Sequence, residues 1–246
     1  GSSTFSAITP MGRQHENDRE ATAADLKWLA DPAEEPEPFG DGGTKMAWNT
    51  FNVVSIYPNG NPVMSDVNQR WVGDCCACAV IASMAYLYPR FVKHIIKDNM
   101  DKTYTVTMYD PKGKQISVGV GGDYFIGNSG DLGALGGRNK EVTWATILEK
   151  AMIKWNQIYQ GSSNVGGIGT EYVSAIFTGD GESVGFGANA LIAEDLQRAV
   201  EVSLKQGRLV IGGFTRSGEQ VDQNWQTTSG HAFTFILPDD NTHLFK

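Results

Sequence analysis

Three cysteines within four positions stand at the head of an apolar stretch. Gly73-Asp74-Cys75-Cys76-Ala77-Cys78 leads into a run, reaching about Ile96, that contains no glycine and only Pro89 as a break. Ala79, Ala82, Met84, Ala85 and Leu87 suit a buried helix with Gly73-Asp74 at its start. Pro89 is tolerated in the first turn of a second helix. A cysteine at a helix start is suited to nucleophilic work, because the unsatisfied N–H groups and the positive end of the helix favour thiolate over thiol. An odd, crowded set of cysteines is a poor disulfide framework. Cys-Cys-x-Cys also lacks the pair separation of a zinc site. The bland alternative is three small buried hydrophobes, and Cys76 and Cys78 fit it.

The chain has 246 residues, 41% of them hydrophobic, enough for one large domain or two modest lobes around a cleft. A net charge of −8 without a basic stripe excludes nucleic acid as the expected partner and favours cationic peptides or divalent cations. No apolar run approaches the length of a membrane span. The composition is equally compatible with a cytoplasmic protein and with a secreted one whose signal peptide has been removed.

Residues 1–45 are polar, and the prolines of Asp31-Pro32-Ala33-Glu34-Glu35-Pro36-Glu37-Pro38 predict an extended arm or propeptide-like lead-in. Thr50–Ile56 reads as a short strand. Tyr104–Tyr109 and Gln115–Val118 read as a hairpin about the turn Asp110-Pro111-Lys112-Gly113. Thr143 caps a predicted helix over Trp144–Tyr159, and a further helix is expected from about Leu191 to Lys205, with Asn189 as its cap and Gly207 as its end. Arg208–Phe214, His231–Leu237 and the residues from His243 onward read as strands. The order predicts an α+β fold, with a mainly helical lobe over 46–160 and a sheet-containing lobe over 161–246.

A thiolate needs a base. Of the four histidines, His15 lies in the arm, His94 in a helical stretch and His243 beside a turn. His231 follows Ser229-Gly230 at a strand start, which fixes its backbone and leaves one side open toward a cleft. Gln69, six residues before Cys75, is placed to aim its amide near the Cys75 N–H, so that the two donors hold a tetrahedral oxyanion. A third group usually orients the imidazole. With a turn at 238–241, the position opposite His231 falls at about 248, beyond Lys246, and Asn241 sits in the turn itself.

Together these pieces resemble the calpain-like cysteine peptidases, a branch of the papain-type fold. Asp66, Gln69, Gly73, Asp74 and Cys75 match that family's Asp-x-x-Gln-x-x-x-Gly-Asp-Cys-Trp, with Cys76 in place of the tryptophan. Trp144–Ala151 resembles its Leu-Leu-Glu-Lys-Ala-Tyr helix. Gly166-Gly167, followed by Thr170-Glu171 and Phe177-Thr178-Gly179, resembles its glycine-rich cleft segment and the Phe-Thr-Gly that succeeds it. Gly230-His231-Ala232-Phe233 resembles its Gly-His-Ala-Tyr. The resemblance runs in order from about 46 to 237 and covers the protease core only.

The resemblance implies a papain-like two-lobe core and a cysteine endopeptidase acting on protein or peptide substrates. Cys75 is then the nucleophile, His231 the base and acid, and Gln69 the oxyanion donor, with Trp71, Gly166, Gly167 and Gly230 along the substrate. The family's orienting asparagine, in Asn-Pro-Trp-Gly, lies on the strand after His231, so a truncated C-terminus or a degenerate enzyme is the expectation. It also implies a calcium site to which Asp66, Glu141 and backbone oxygens near Asn59–Asn61 would contribute; the chemistry itself needs no cofactor. Two other readings remain: a catalytically inactive peptide-binding module, and a papain-fold acyl transferase.

Overall fold

The computed structural model describes residues 19–41, 44–127, 129–179, 192–214, 220–222, 225–226 and 231–237. From the N-terminus, helix α1 (Ala23–Ala30) is followed by a small ladder of β1 (Gly40–Asp41) and β2 (Thr44–Lys45), then β3 (Ala47–Thr50) and a 3₁₀ turn at Met64–Asp66. Helices α2 (Cys75–Leu87) and α3 (Pro89–Ile95) meet at a 113° bend. Three strands follow, β4 (Ile96–Asp98), β5 (Tyr104–Tyr109) and β6 (Gln115–Val120), and then β7 (Asp123–Ile126). Helices α4 (Trp144–Tyr159), α5 (Thr170–Thr178) and α6 (Ala193–Lys205) come next. The last described elements are β8 (Ile211–Phe214), β9 (Gln220–Asp222), β10 (Trp225–Gln226) and β11 (His231–Thr234). The fold is α+β. No single described helix is long and apolar enough to cross a membrane.

Helix α4 is the centre of the core. Fourteen of its sixteen residues are buried, so it reads as an all-round apolar helix into which Glu149, Lys150 and Lys154 have been set. Thr143 caps it as the sequence predicts, its hydroxyl accepting from Ala145 N–H at 3.2 Å. Strands β4, β5 and β6 form an antiparallel sheet in that order, with Tyr104 opposite Val120 and Tyr109 opposite Gln115. Tyr104, Val106 and Met108 alternate inward, as does the facing row Ile116, Val118 and Val120. Helices α4 and α5 pack on this sheet, and α2 packs on α5.

Several expectations are corrected. The segment before Phe39 is not wholly extended: α1 forms just upstream of the prolines, capped by a reciprocal Thr22–Asp25 box. It lies on β6, where a Cβ on Gly119 would come within 2.5 Å of the Ala30 carbonyl oxygen. The buried Lys154 ammonium donates to the carbonyls of Asp31 (2.9 Å) and Gly119 (2.7 Å), tying this strap to α4. Burial lowers its pKa to about 8.

The strand expected at Thr50–Ile56 lies upstream, at β3, where Trp48 stacks on Phe125 of β7 at 4.0 Å; Val54 is 95% exposed. The region 46–160 contains a three-stranded sheet as well as helices, and α5, beyond residue 160, packs with it. Helix α6 starts at Ala193; Asn189 lies outside the described residues, as do His15, the turn at 238–241 and the strand expected at its end. The strands expected at Arg208–Phe214 and His231–Leu237 are shorter, beginning at Ile211 and ending at Thr234.

Candidate active site

Cys75 is the first residue of α2, and Asp74 occupies the cap position. Upstream, the 3₁₀ turn is fixed by Asp66. Its buried carboxylate accepts from Asn59 Nδ2 (2.7 Å), Val63 N–H (3.1 Å) and the Trp144 indole (2.8 Å). Residues 68–71 then zip onto a glycine-rich loop: Asn68 N–H donates to Gly136 O at 2.9 Å, and Trp71 N–H to Gly133 O at 3.0 Å. Here the glycines are required sterically. A Cβ on Gly136 would sit 2.6 Å from the Glu141 carbonyl oxygen, and one on Gly127 2.6 Å from the Trp71 ring nitrogen. Exposed Gln69 donates its amide to Val72 O at 3.0 Å, within the turn that leads to Cys75.

His231 is the first residue of β11, exposed, and paired with Phe214 across an antiparallel ladder of four residue pairs to β8. That ladder lies against α2, the helix that Cys75 begins. A pocket of about 330 Å³ opens between them, lined by Cys76, Thr170, Ile211, the Gly212-Gly213 pair, His231 and Ala232. Cys76 is thus not a core residue but part of the pocket wall beside the imidazole, a placement that the sequence reading missed. A larger cavity, about 660 Å³, is lined by residues of α1 and the β5–β6 hairpin and includes none of the site residues.

The glycine segment joins the same site. Gly167, with φ of +75°, donates its N–H to Gly73 O at 3.2 Å, immediately before the cysteine helix. Gly166 and Gly167 are both exposed there, and Trp71 is 51% exposed. Gly230 lies outside the described residues. His94 is exposed on α3.

The three cysteines are not equivalent. Cys78 turns inward and donates its thiol to Asp74 Oδ1 at 3.5 Å. Burial, then the neighbouring Asp74 and Glu149 carboxyls, push that thiol far above its ordinary pKa. By surface exposure the three thiols are alike, each half-buried, so it is the contact with Asp74 that sets Cys78 apart.

The two side chains expected at a calcium site are engaged differently. Three N–H donors point at the buried Asp66 carboxylate. Glu141 Oε2 is buried with no hydrogen-bond partner among the described residues. No group of three His, Cys, Asp or Glu side chains among the described residues could hold a metal ion.

With this geometry in view, comparison with known families is decisive. The calpain family cysteine protease model matches residues 47–241. The chain belongs to the calpain family of cysteine proteases. The match covers both the Cys75 helix and the His231 strand, so the chemical class of this domain is that of a cysteine peptidase. No curated protein matches the chain.

Proposed function

We propose that this calpain-family domain is a cysteine endopeptidase with a papain-like two-lobed cleft, in which Cys75 is the nucleophile and His231 the general base and acid. The observation that carries the reading is the packing of β11, which His231 begins, against α2, which Cys75 begins. His231 accepts the thiol proton as Cys75 Sγ attacks a peptide carbonyl carbon. The C=O π bond opens to an oxyanion, held by the Cys75 N–H and the Gln69 amide. His231 then donates its proton to the departing amine as the C–N bond breaks, leaving a thioester. Water, deprotonated by His231, attacks that thioester, and Cys75 leaves as thiolate. In this reading the Gln69 amide swings from Val72 O to the oxyanion. Exposed Gly166 and Gly167 let an extended substrate backbone lie close, and Trp71 flanks it, with Gly230 behind the imidazole.

Turnover of a peptide library by the intact chain and its variants tests this. Cys75→Ala is expected to lower kcat/KM by about 10³-fold or more, whereas Cys76→Ala retains measurable cleavage. Cleavage that survives Cys75→Ala and vanishes with Cys76→Ala would move the nucleophile to the thiol that lines the His231 pocket. Acyl transfer to added amines without peptide cleavage would replace hydrolysis by transferase chemistry.

A further inference from the structure

Asp74 is a carboxylate at a helix N-cap, the position at which it would ordinarily accept from the first-turn N–H groups. It makes no such bond. Its side chain is fully buried and turned inward, where it meets Glu149 of α4, also buried. Each acid has one oxygen with an assigned donor. Cys78 Sγ donates to Asp74 Oδ1, and Leu135 N–H donates to Glu149 Oε1 at 3.0 Å. Each has one oxygen without a donor among the described residues, Asp74 Oδ2 and Glu149 Oε2. Two ionised carboxylates cannot share a dry site, but one proton between them satisfies both orphaned oxygens.

We propose that Glu149 is protonated and donates to Asp74, and that this carboxyl pair is a positioning device which keeps the Asp74 charge off the helix N-terminus that serves Cys75. Without it, Asp74 is free to rotate onto the first-turn N–H groups. It would then occupy the donors that a thiolate or oxyanion needs and place a negative charge beside them. Among the described residues, the groups facing the pair are Cys78 and, beyond it, Cys75 from α2, the backbone N–H of Asp74 itself, and the Leu135 N–H from the glycine-rich loop, and none of these is a cation. Burial first, then the Asp74 charge, raises Glu149 well above the ordinary carboxylate range; burial raises Asp74 too, but there the hydrogen bonds from Glu149, Cys78 and its own N–H partly offset it, so Glu149 is the acid that keeps the proton.

The inference rests on the assignment of Cys75 as nucleophile, so the test avoids proteolysis as its readout. Infrared spectra of the intact chain at pH 7 are expected to show the carbonyl stretch of one protonated carboxylic acid, absent in Glu149→Gln. The glutamine amide can donate to Asp74 and accept from Leu135, so the rate of Cys75 alkylation by iodoacetamide, mapped by mass spectrometry, should stay within about threefold of wild type. Glu149→Ala should slow it by about tenfold or more, the size of one lost hydrogen bond to a charged group. If that variant fails to fold, Glu149→Asp, a methylene short of Asp74, takes its place with the same expectation. A wild-type spectrum without the acid band, a band that persists in Glu149→Gln, or equal alkylation rates in all variants would overturn the proposal. A wild type with the band and the rate pattern but no peptide turnover upholds the pair and counts against the peptidase reading alone.

Discussion

Cys75 begins a helix whose surroundings are fixed by buried polar groups, whereas His231 begins a strand held by a four-pair ladder to β8 and is itself exposed. On the cysteine side, Asp66 ties the preceding turn to the Trp144 indole, and Glu149 meets Asp74 beneath the helix start. Farther along α4, Lys150 pairs with Glu35 at 2.7 Å and Lys154 grips the strap at Asp31. On the histidine side, Ala232 is the one buried residue of β11. A ladder partner that carries Gly212 and Gly213 offers little side-chain packing of its own. The helix start that carries Cys75 is therefore tied into the core, and His231 is brought to it on a thin edge. Substitutions on the first side should register as stability, and on the second as activity.

The largest effect that would break this contrast is at His231. His231→Ala should reduce peptide turnover by about 10³-fold while leaving urea-induced unfolding within about 0.5 kcal/mol of wild type; a matching loss of stability would make the strand structural. Trp144→Ala should do the reverse, destabilising the fold by about 4 kcal/mol in the same titration. Asp66→Ala leaves the indole, Asn59 and Val63 without their acceptor, and about 3 kcal/mol is expected.

A smaller effect separates the acids of the core from ordinary ones. Glu149 holds its proton when folded and releases it when unfolded above pH 4.5, so the unfolded state binds fewer protons. Stability should fall as pH rises from the ordinary glutamate value toward the raised folded one. Relative to Glu149→Gln, the limiting slope is about 1.4 kcal/mol per pH unit, measured as chemical unfolding across that window. The smallest effect expected is at Gly212, where a Cβ would meet the Phe233 ring at 2.5 Å. The ring can shift, and Gly212→Ala should lose about 1 kcal/mol.

What the sequence discloses follows the same division. The Thr143-capped helix and the Tyr104–Tyr109 hairpin are legible because local periodicity and turn chemistry specify them. Helix α1 escapes because the prolines after Ala30 dominate its neighbourhood, although the Thr22–Asp25 spacing is a capping signal. Helix α5, short and flanked by glycines, escapes as well. Strand β3 is displaced from its predicted place because its position is decided by the Trp48 stack on Phe125, a contact between distant segments. Cys75, Gln69 and His231 are legible as candidates from their flanking residues. The Asp74–Glu149 pair is not, since nothing local marks two acids on different helices as neighbours, nor is the exposure of Cys76 to the His231 pocket.

The most direct test of the account is covalent trapping of the nucleophile. The intact chain is incubated with a peptidyl electrophile that reacts only with an activated thiol, then digested and mapped by mass spectrometry. A single adduct on Cys75, abolished in His231→Ala, is the expected result. An adduct on Cys76, or labelling of Cys75 that is indifferent to His231, would contradict the pairing of that helix-start thiol with that strand-start imidazole.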